Sequence, residues 1–227
     1  MQRNRRIVAV IAIIITVFGA IVLSSDMWQP VVQTPSPSAA KGTAAQLLAT
    51  IPTKGRAPKT NYARTQFGDG WATVAGCDMR NIILHRDMPG SAVGPDCKVL
   101  SGTLNDPYTG KIIAFMRGAD TSADVQIDHV VALSDAWQKG AQQLSADTRK
   151  KLANDPLELL AVDGPANQQK SDGDAATWLP PNKSFRCQYV ARQVAVKVKY
   201  SLWVTQAEHD AISRILNTCP GQSLPSE

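Results

Sequence analysis

The feature that most constrains this chain is an uncharged apolar run near its N-terminus, from Ile7 to Leu23, which follows the basic flank MQRNRR. A basic flank before such a run favours membrane insertion with the N-terminus inside. The 17 residues of the run are just enough to span a bilayer and slightly too many for an ordinary cleaved signal core. We predict that residues 1–28 are either a signal peptide or a membrane anchor. The rest of the chain is then exported, either secreted or tethered to the outer face of the cytoplasmic membrane.

Export decides how the cysteines are interpreted. The chain has four of them, Cys77, Cys97, Cys187 and Cys219, and an even number in an oxidising setting predicts two disulfides. Three connectivities are possible. We favour Cys77 with Cys97 and Cys187 with Cys219, because each pair closes a loop within one half of the chain. A structural zinc site is the alternative, and it is disfavoured because no two cysteines have the C-x-x-C spacing of zinc knuckles.

Composition divides the exported part into a linker, one domain and a tail. Residues 29–43 are rich in Pro, Ser and Ala without an apolar period, which is typical of an extended or flexible spacer. Residues 44–220 are long enough for one domain with a substantial core, and residues 221–227 form a C-terminal tail. The net charge of +5 includes three arginines of the N-terminal flank. A mildly basic domain permits a polyanionic partner without demanding one.

Local patterns predict an α+β fold with a small antiparallel sheet and C-terminal helices. Two β-prone runs flank the turn DPYTG and predict a hairpin. A third β-prone run covers residues 125–133, with Ser134 as the N-cap of a helix, and residues 156–162 form a further strand. Pro165 suits the first position of the next helix. Other predicted helices cover residues 44–51, the run after Ser145, the apolar series Tyr189, Val190, Val194 and Val198, and the segment after the capping box at Thr205.

Polar residues line up along the predicted strand, strand and helix. The stretch IDHVVALSDAW places Asp128 beside His129, Asn154 stands just before the second strand, and the helix carries Asn167 with Lys170. Carboxylate and carboxamide oxygens suit Mg²⁺ or a similar ion that retains waters, and a neighbouring imidazole can take a proton from such a water. Successive side chains of a strand point to opposite faces. Asp128 and His129 can therefore share a site only where the strand twists or ends.

Three longer segments carry a family resemblance: IDHVVALSDAW, NDPLELLAVDGPANQQKSD and WLPPNKSFRCQYVARQVAVKVKYSLWVTQAE. Over residues 62–219 they resemble the HNH nucleases of the His-Me finger, or ββα-metal, superfamily, and in particular the exported bacterial HNH endonuclease family proteins. The resemblance implies Asp128 and Asn167 as metal ligands and His129 as the general base. It implies Asn154 as the brace of the loop that presents the base, although the excursion before Asn154 is longer than in compact HNH motifs.

The resemblance implies a metal-dependent endonuclease that uses Mg²⁺ or Mn²⁺. We expect nucleic acid as the substrate, with DNA as the default, and low sequence specificity because the chain carries no attached reading module. Arg80 and Arg86 could bind phosphate through their guanidinium forks or form a structural salt bridge with Asp87. Lys170 could steady the scissile phosphate or cover the helix face. Two other functions fit the pattern: a catalytically inactive cell-surface binding module on the same fold, and a hydrolase of another phosphoester.

Overall fold

The computed structural model describes residues 42–119 and 121–225. The predicted signal peptide or anchor and nearly all of the predicted linker lie outside the described residues, so both stay predictions. Among the described residues, no helix combines the length and the apolar character needed to cross a bilayer.

The described residues form three small antiparallel sheets and a set of helices. The strands are β1 (Thr73–Val74), β2 (Cys77–Asp78), β3 (Ala92–Val93), β4 (Val99–Asn105), β5 (Ile112–Met116), β6 (Val125–His129) and β7 (Leu159–Asp163). The helices are α1 (Ala44–Leu48), α2 (Met79–Asp87), α3 (Leu133–Gln138), α4 (Ala146–Ala153), α5 (Gly164–Lys170), α6 (Arg186–Lys199) and α7 (Gln206–Leu216). β1 pairs with β2, β4 lies between β3 and β5, and β6 pairs with β7.

The hairpin predicted around DPYTG is confirmed. β4 and β5 pair from Ser101 opposite Met116 to Asn105 opposite Ile112. The carboxylate of Asp106 closes the turn by accepting a hydrogen bond from the Thr109 amide at 2.7 Å, as Asp commonly does in turns. Its other oxygen accepts from the Asp163 amide at 2.9 Å. The turn is therefore tied to the end of β7.

A strand, strand and helix unit is built from β6, β7 and α5. All five residues of β6 pair with β7, from Val125 opposite Asp163 to His129 opposite Leu159. Asp163 ends β7 and also caps α5, because its carboxylate accepts from the Ala166 amide at 2.8 Å. Gly164 is needed at this junction, since an added Cβ would lie 2.2 Å from the carbonyl oxygen of Ala123. Helix α5 thus starts directly from the strand, with Pro165 in its first turn as predicted.

The prediction of Ser134 as a helix N-cap is wrong. β6 ends at His129, and the chain turns there because the amides of Val130 and Val131 donate to the backbone and side chain of Glu158, at 2.9 and 3.2 Å. Helix α3 already begins at Leu133, so Ser134 is its second residue and is buried. The prediction for Ser145 is confirmed, since its hydroxyl accepts from the Thr148 amide at the start of α4.

Two disulfides hold the domain, in the pairing predicted from the sequence. Cys77 bonds to Cys97 and joins β2 to the turn before β4, while Cys187 bonds to Cys219 and joins the first turn of α6 to the end of α7. The predicted class is confirmed: the fold mixes α and β structure, with small antiparallel sheets, C-terminal helices and two disulfides.

A buried charge network connects the C-terminal helices to α3. The ammonium of Lys139 lies 2.7 Å from Asp135, 2.8 Å from Asp174 and 2.6 Å from Glu208. Lys197 of α6 also contacts Glu208, at 3.0 Å. Thr205 caps α7 as predicted. Glu208, however, directs its carboxylate to the lysines, so it serves tertiary contacts that the local capping pattern could not reveal.

Candidate active site

A polar cavity of about 450 Å³ opens beside the end of β6. Asp128 and His129 from β6 and Asn167 from α5 all line it. His129 is the last residue of β6, so the two neighbouring side chains reach one site at a strand end, where the alternation of faces breaks down. Further lining residues come from an earlier part of the chain and include Tyr62, Arg64, Trp71 and Arg80.

The imidazole of His129 is held by two contacts. Its Nε2 lies 3.0 Å from the carbonyl oxygen of Ala153, and because a carbonyl only accepts, Nε2 carries the proton in the neutral ring and Nδ1 carries the lone pair. The indole of Trp71 stacks on the imidazole, with ring centroids 5.7 Å apart and planes 5° from parallel. Together these contacts fix the tautomer and the ring plane.

The electrostatic surroundings keep His129 uncharged. Burial, followed by the positive charges of Arg64 and Lys170, lowers the pKa of His129 to about 3, although the hydrogen bond to Ala153 opposes the shift. The ring is therefore neutral at physiological pH. A neutral imidazole with a lone pair on Nδ1 can accept a proton, which is the property a general base requires.

Asn154 does not line the cavity, but it fixes both contacts of His129. Its Oδ1 accepts from the Ala72 amide at 2.7 Å, which anchors the residue after Trp71. Its Nδ2 donates to the carbonyl of Lys150 at 3.0 Å, at the end of α4 where Asn154 follows Ala153. This position corresponds to the bracing role that the family resemblance implies.

Asp128 is buried, with 5% of its surface exposed. Its Oδ1 accepts from the ammonium of Lys170 at 2.9 Å, and its Oδ2 accepts from the hydroxyl of Tyr108 at 2.5 Å. Burial raises the pKa of the Asp128 carboxyl, while Lys170 and Tyr108 act in the opposite direction. The carboxylate is thus held in one orientation by α5 and by the hairpin turn.

The structure gives Lys170 and Arg86 roles that differ from the predicted substrate contacts. The Lys170 ammonium is buried and donates to Asp128 and to the carbonyl of His129 at 2.8 Å. Arg86 pairs with Asp87 at 2.7 Å and donates to the carbonyls of Pro156 and Leu159. Neither side chain lines the cavity. Both side chains bind partners that are distant in the sequence and do not face the cavity. For Arg86, the predicted salt bridge with Asp87 is present.

Arg80 does line the cavity. Its guanidinium donates to the carbonyls of Ser122 and Val125 at 3.3 and 3.4 Å. Burial and the neighbouring Arg117 lower the pKa of Arg80. Its position is compatible with the predicted contact to a phosphate.

The donor set suits a hard divalent cation. The carboxylate of Asp128 accepts one hydrogen bond at each oxygen, which leaves a further lone pair on each. Asn167 uses its Nδ2 to donate to Gln126 at 3.0 Å, so its own carboxamide oxygen can serve as a donor to a cation. In the described ranges, no group of three or more His, Cys, Asp or Glu side chains could hold a metal. One carboxylate and one carboxamide oxygen are donors of the type that Mg²⁺ or Mn²⁺ binds together with several retained waters, and they do not fit a closed zinc site.

Several residues around the cavity were missed from the sequence. Tyr108 belongs to the turn DPYTG, which gives no sign of its contact with Asp128, and no local pattern marks Trp71. Gln126 carries a clue, because it stands two residues before Asp128 and so points to the same side of β6. Arg64 gives no signal in the sequence, since nothing local connects it with residue 129.

The fold and the cavity together define a small disulfide-containing α+β domain with a candidate hydrolytic site where two strands meet a helix. Residues 86–215 match the family model of the GmrSD restriction endonucleases, C-terminal domain. The match spans more than half of the chain, and the chain belongs to this family. The assignment to the HNH endonuclease group is thereby confirmed at the family level, and with it a nuclease-type function.

The chain is also similar to a protein of Arthroderma benhamiae that is described as an uncharacterised secreted protein. The two are 36% identical over 191 residues, which cover 83% of this chain and 90% of that protein. No solved structure matches the chain. Asp128, His129 and Asn167 lie inside the segment that matches the family model, whereas the wall formed by Tyr62, Arg64, Trp71 and Arg80 precedes it.

Proposed function

We propose that the protein is an exported, metal-dependent HNH-type endonuclease that hydrolyses phosphodiester bonds in DNA with low sequence specificity. The observation that carries this proposal is the meeting of Asp128, His129 and Asn167 in one polar cavity, although His129 and Asn167 lie 38 positions apart in the chain. Membership of a nuclease family supports the reaction class.

In this proposal, Nδ1 of His129 takes a proton from a water, and the resulting hydroxide attacks phosphorus in line with the leaving oxygen. Trp71 and the Ala153 carbonyl keep the imidazole aligned for that transfer. Mg²⁺ or Mn²⁺, held by Asp128 and Asn167, would stabilise the negative charge that develops on the leaving oxygen.

Tyr108 and Lys170 position the Asp128 carboxylate and have no contact with the substrate in this proposal. Both donate to it from buried sites, so they act through Asp128. The positive charge of Lys170 also limits the net negative charge available to a cation. We therefore expect a cation affinity that depends on the phosphate of the substrate as an additional ligand.

Export is supported by the two disulfides and by the similarity to a secreted protein. Contact with the membrane would come through the N-terminal apolar run, if that run is retained after export.

Nicking of supercoiled plasmid, with Mg²⁺ or with EDTA, tests the proposal. The His129→Ala variant should lose about 10² to 10⁴ in rate, the usual cost of removing a general base, and it should keep the circular dichroism spectrum of the wild type. His85→Ala is the matched control, because His85 is exposed, lies outside the cavity and hydrogen-bonds to the Ser91 hydroxyl. A folded His129→Ala protein that nicks plasmid at the wild-type rate contradicts the role of the base.

The same assay separates the alternatives. A wild-type protein that binds DNA or RNA without cutting either one is a binding module. A protein that cuts only a small phosphodiester, such as bis(p-nitrophenyl) phosphate, is a hydrolase of another phosphoester.

A further inference from the structure

The lining of the cavity includes an arginine, Arg64, for which the described residues offer no hydrogen-bond or ion-pair partner. Arg64 is exposed at the edge of the cavity, and no hydrogen bond or ion pair of its guanidinium is found in the described part of the chain. Two lysines are occupied by carboxylates that line the cavity, since Lys170 pairs with Asp128 and Lys59 pairs with Asp172. The five donors of the Arg64 guanidinium therefore remain available to an external acceptor.

The backbone that carries Arg64 is firmly anchored. Arg64 begins a short 3₁₀ helix, Arg64–Phe67. Phe67 is buried and packs edge-on against Trp137, with ring centroids 6.3 Å apart. Arg149 of α4 donates to the carbonyl of Gln66 at 2.8 Å. An exposed side chain on an anchored backbone can be positioned for a ligand at a smaller entropic cost than one on a loose loop.

Arg64 is also placed directly beside the candidate base. It lines the cavity beside β6 and a second cavity of about 130 Å³, and His129 and Trp71 line both of them. A neutral imidazole offers the Arg64 guanidinium no negative charge and only the single Nδ1 lone pair as an acceptor. An anion bound between them would satisfy the guanidinium, and a phosphate matches its fork with two parallel hydrogen bonds.

We propose that Arg64 binds a phosphate of the substrate strand next to the scissile bond, and that the segment from Tyr62 to Arg80 is the substrate-positioning wall of the site. The proposal rests on the proposed endonuclease function and names a contact for it. The segment precedes residue 86, where the family match begins. In this proposal, a segment that lies before the family match adds a substrate contact to the site.

Binding of a fluorescein-labelled 20-bp DNA duplex, followed by anisotropy at several KCl concentrations in Mg²⁺, tests the proposal. The His129→Ala background prevents cleavage during the measurement. Adding Arg64→Gln should weaken binding about 10- to 100-fold. It should also lower the slope of log K against log salt by about 0.9, the value for one lost phosphate contact. Arg64→Lys should keep that slope and bind with intermediate affinity, because the charge remains and the fork is lost.

Arg214→Gln is the matched control, since Arg214 is an exposed arginine on α7 that lines neither of these two cavities. It should bind like its parent. The proposal is overturned if Arg64→Gln binds with the parent's affinity and salt slope, or if Arg214→Gln is weakened equally.

Plasmid cleavage by wild type and by the single variant Arg64→Gln distinguishes failure of the Arg64 contact from failure of the endonuclease function. If the wild type cuts plasmid and Arg64→Gln does so with the same KM, the endonuclease function stands and the Arg64 contact fails. If the wild type neither binds nor cuts nucleic acid, both fail. A raised KM for Arg64→Gln, restored in part by Arg64→Lys, supports both.

Discussion

At the scale of single residues, the site depends on groups whose partners are buried. Asp128 is held between Lys170 and Tyr108, and His129 between Trp71 and the Ala153 carbonyl. Replacing any of these residues alters both the chemistry and the packing. Experiments on them therefore need a stability measurement beside the activity measurement.

Asp128→Asn should raise the Mg²⁺ concentration that gives half-maximal cleavage, because Asp128 is the one charged ligand in the proposed set. Part of the loss should be recovered at high Mn²⁺, and Zn²⁺ should inhibit or have no effect. The variant also leaves the buried ammonium of Lys170 without its counter-charge, which we expect to cost about 3–5 kcal/mol of stability. Cleavage should therefore be titrated with Mg²⁺ at a temperature where circular dichroism shows a folded variant.

Asp172→Asn is the control for this titration, since Asp172 lines the same cavity but is 56% exposed and pairs with Lys59. Its Mg²⁺ dependence should match the wild type. Full cleavage activity of EDTA-treated wild-type protein would contradict the assignment of Mg²⁺ or Mn²⁺ to the site. Higher activity after adding Zn²⁺ than after adding Mg²⁺ would contradict it as well.

Glu158→Gln should make stability less dependent on pH. Burial raises the pKa of Glu158 well above its ordinary value, and Asp128 and Asp155 add to the shift, while the Val131 amide and Lys170 oppose it. A raised pKa in the folded state favours folding at low pH, and this contribution is lost as the pH rises toward the folded pKa, with a slope of at most about 1.4 kcal/mol per pH unit.

Urea unfolding of both proteins at pH 4.5 and pH 8 measures the effect. The stability of Glu158→Gln relative to wild type should increase from pH 4.5 to pH 8, because glutamine stays neutral. An unchanged difference between the two proteins at the two pH values would mean that Glu158 does not titrate differently in the folded and unfolded chains.

At the scale of elements, the strands and helix that carry the site residues form through local interactions. A disulfide connects the two C-terminal helices that pack against them. The β6, β7 and α5 unit follows from strand pairing, the Asp163 cap and the close approach at Gly164. Helices α6 and α7 supply much of the apolar core that packs against this unit. Their covalent connection is Cys187 to Cys219.

Replacing Cys187 and Cys219 together by serine should lower the free energy of unfolding by about 2–4 kcal/mol, as expected when a cross-link no longer restricts the unfolded chain. The two cysteines are 32 positions apart. Urea denaturation with circular dichroism gives the value. Peptide mapping of the wild type without reductant should show no free thiol, and recovery of a Cys77 to Cys187 peptide would show that the pairing is wrong.

At the scale of the whole molecule, buried charges connect parts of the chain that local structure leaves apart. The positive groups are the buried Lys139 and Lys197 and the solvent-exposed Arg56, and the negative groups are the buried Asp135, Asp174 and Glu208. These residues come from the segment before the site, from α3, α6 and α7, and from the loop after α5. The network is balanced in charge, and removal of one member leaves the others uncompensated.

Lys139→Met should destabilise the protein by about 3–5 kcal/mol, because it leaves three buried carboxylates with fewer cations. Lys59→Met is the control: its ion pair with Asp172 is exposed, and its loss should cost less than about 1 kcal/mol. Thermal and urea unfolding measure both. Equal stability of the two variants would mean that the network contributes no more than a surface ion pair.

The sequence by itself determined the features that depend on neighbouring residues. The hairpin at DPYTG, the caps at Ser145 and Thr205, the start of α5 at Pro165 and the order of Asp128, His129 and Asn167 could all be predicted. Turns, caps and strand alternation depend on residues that are a few positions apart, so they can be predicted from the sequence of one chain. Ser134 was misplaced because the end of β6 is set by contacts with Glu158, which is distant in the chain.

Only the tertiary structure decided which side chains surround Asp128 and His129. Tyr108 reaches Asp128 across 20 positions, and Trp71 stacks on an imidazole that lies far along the chain. The same long-range packing turned Lys170 and Arg86 into internal partners and left Arg64 facing the cavity. Side-chain partners depend on which elements meet in space, and no local period or spacing encodes that meeting. The candidate residues Asp128, His129 and Asn167 could therefore be named from the sequence, whereas their supporting contacts and the other residues that line the cavity could not.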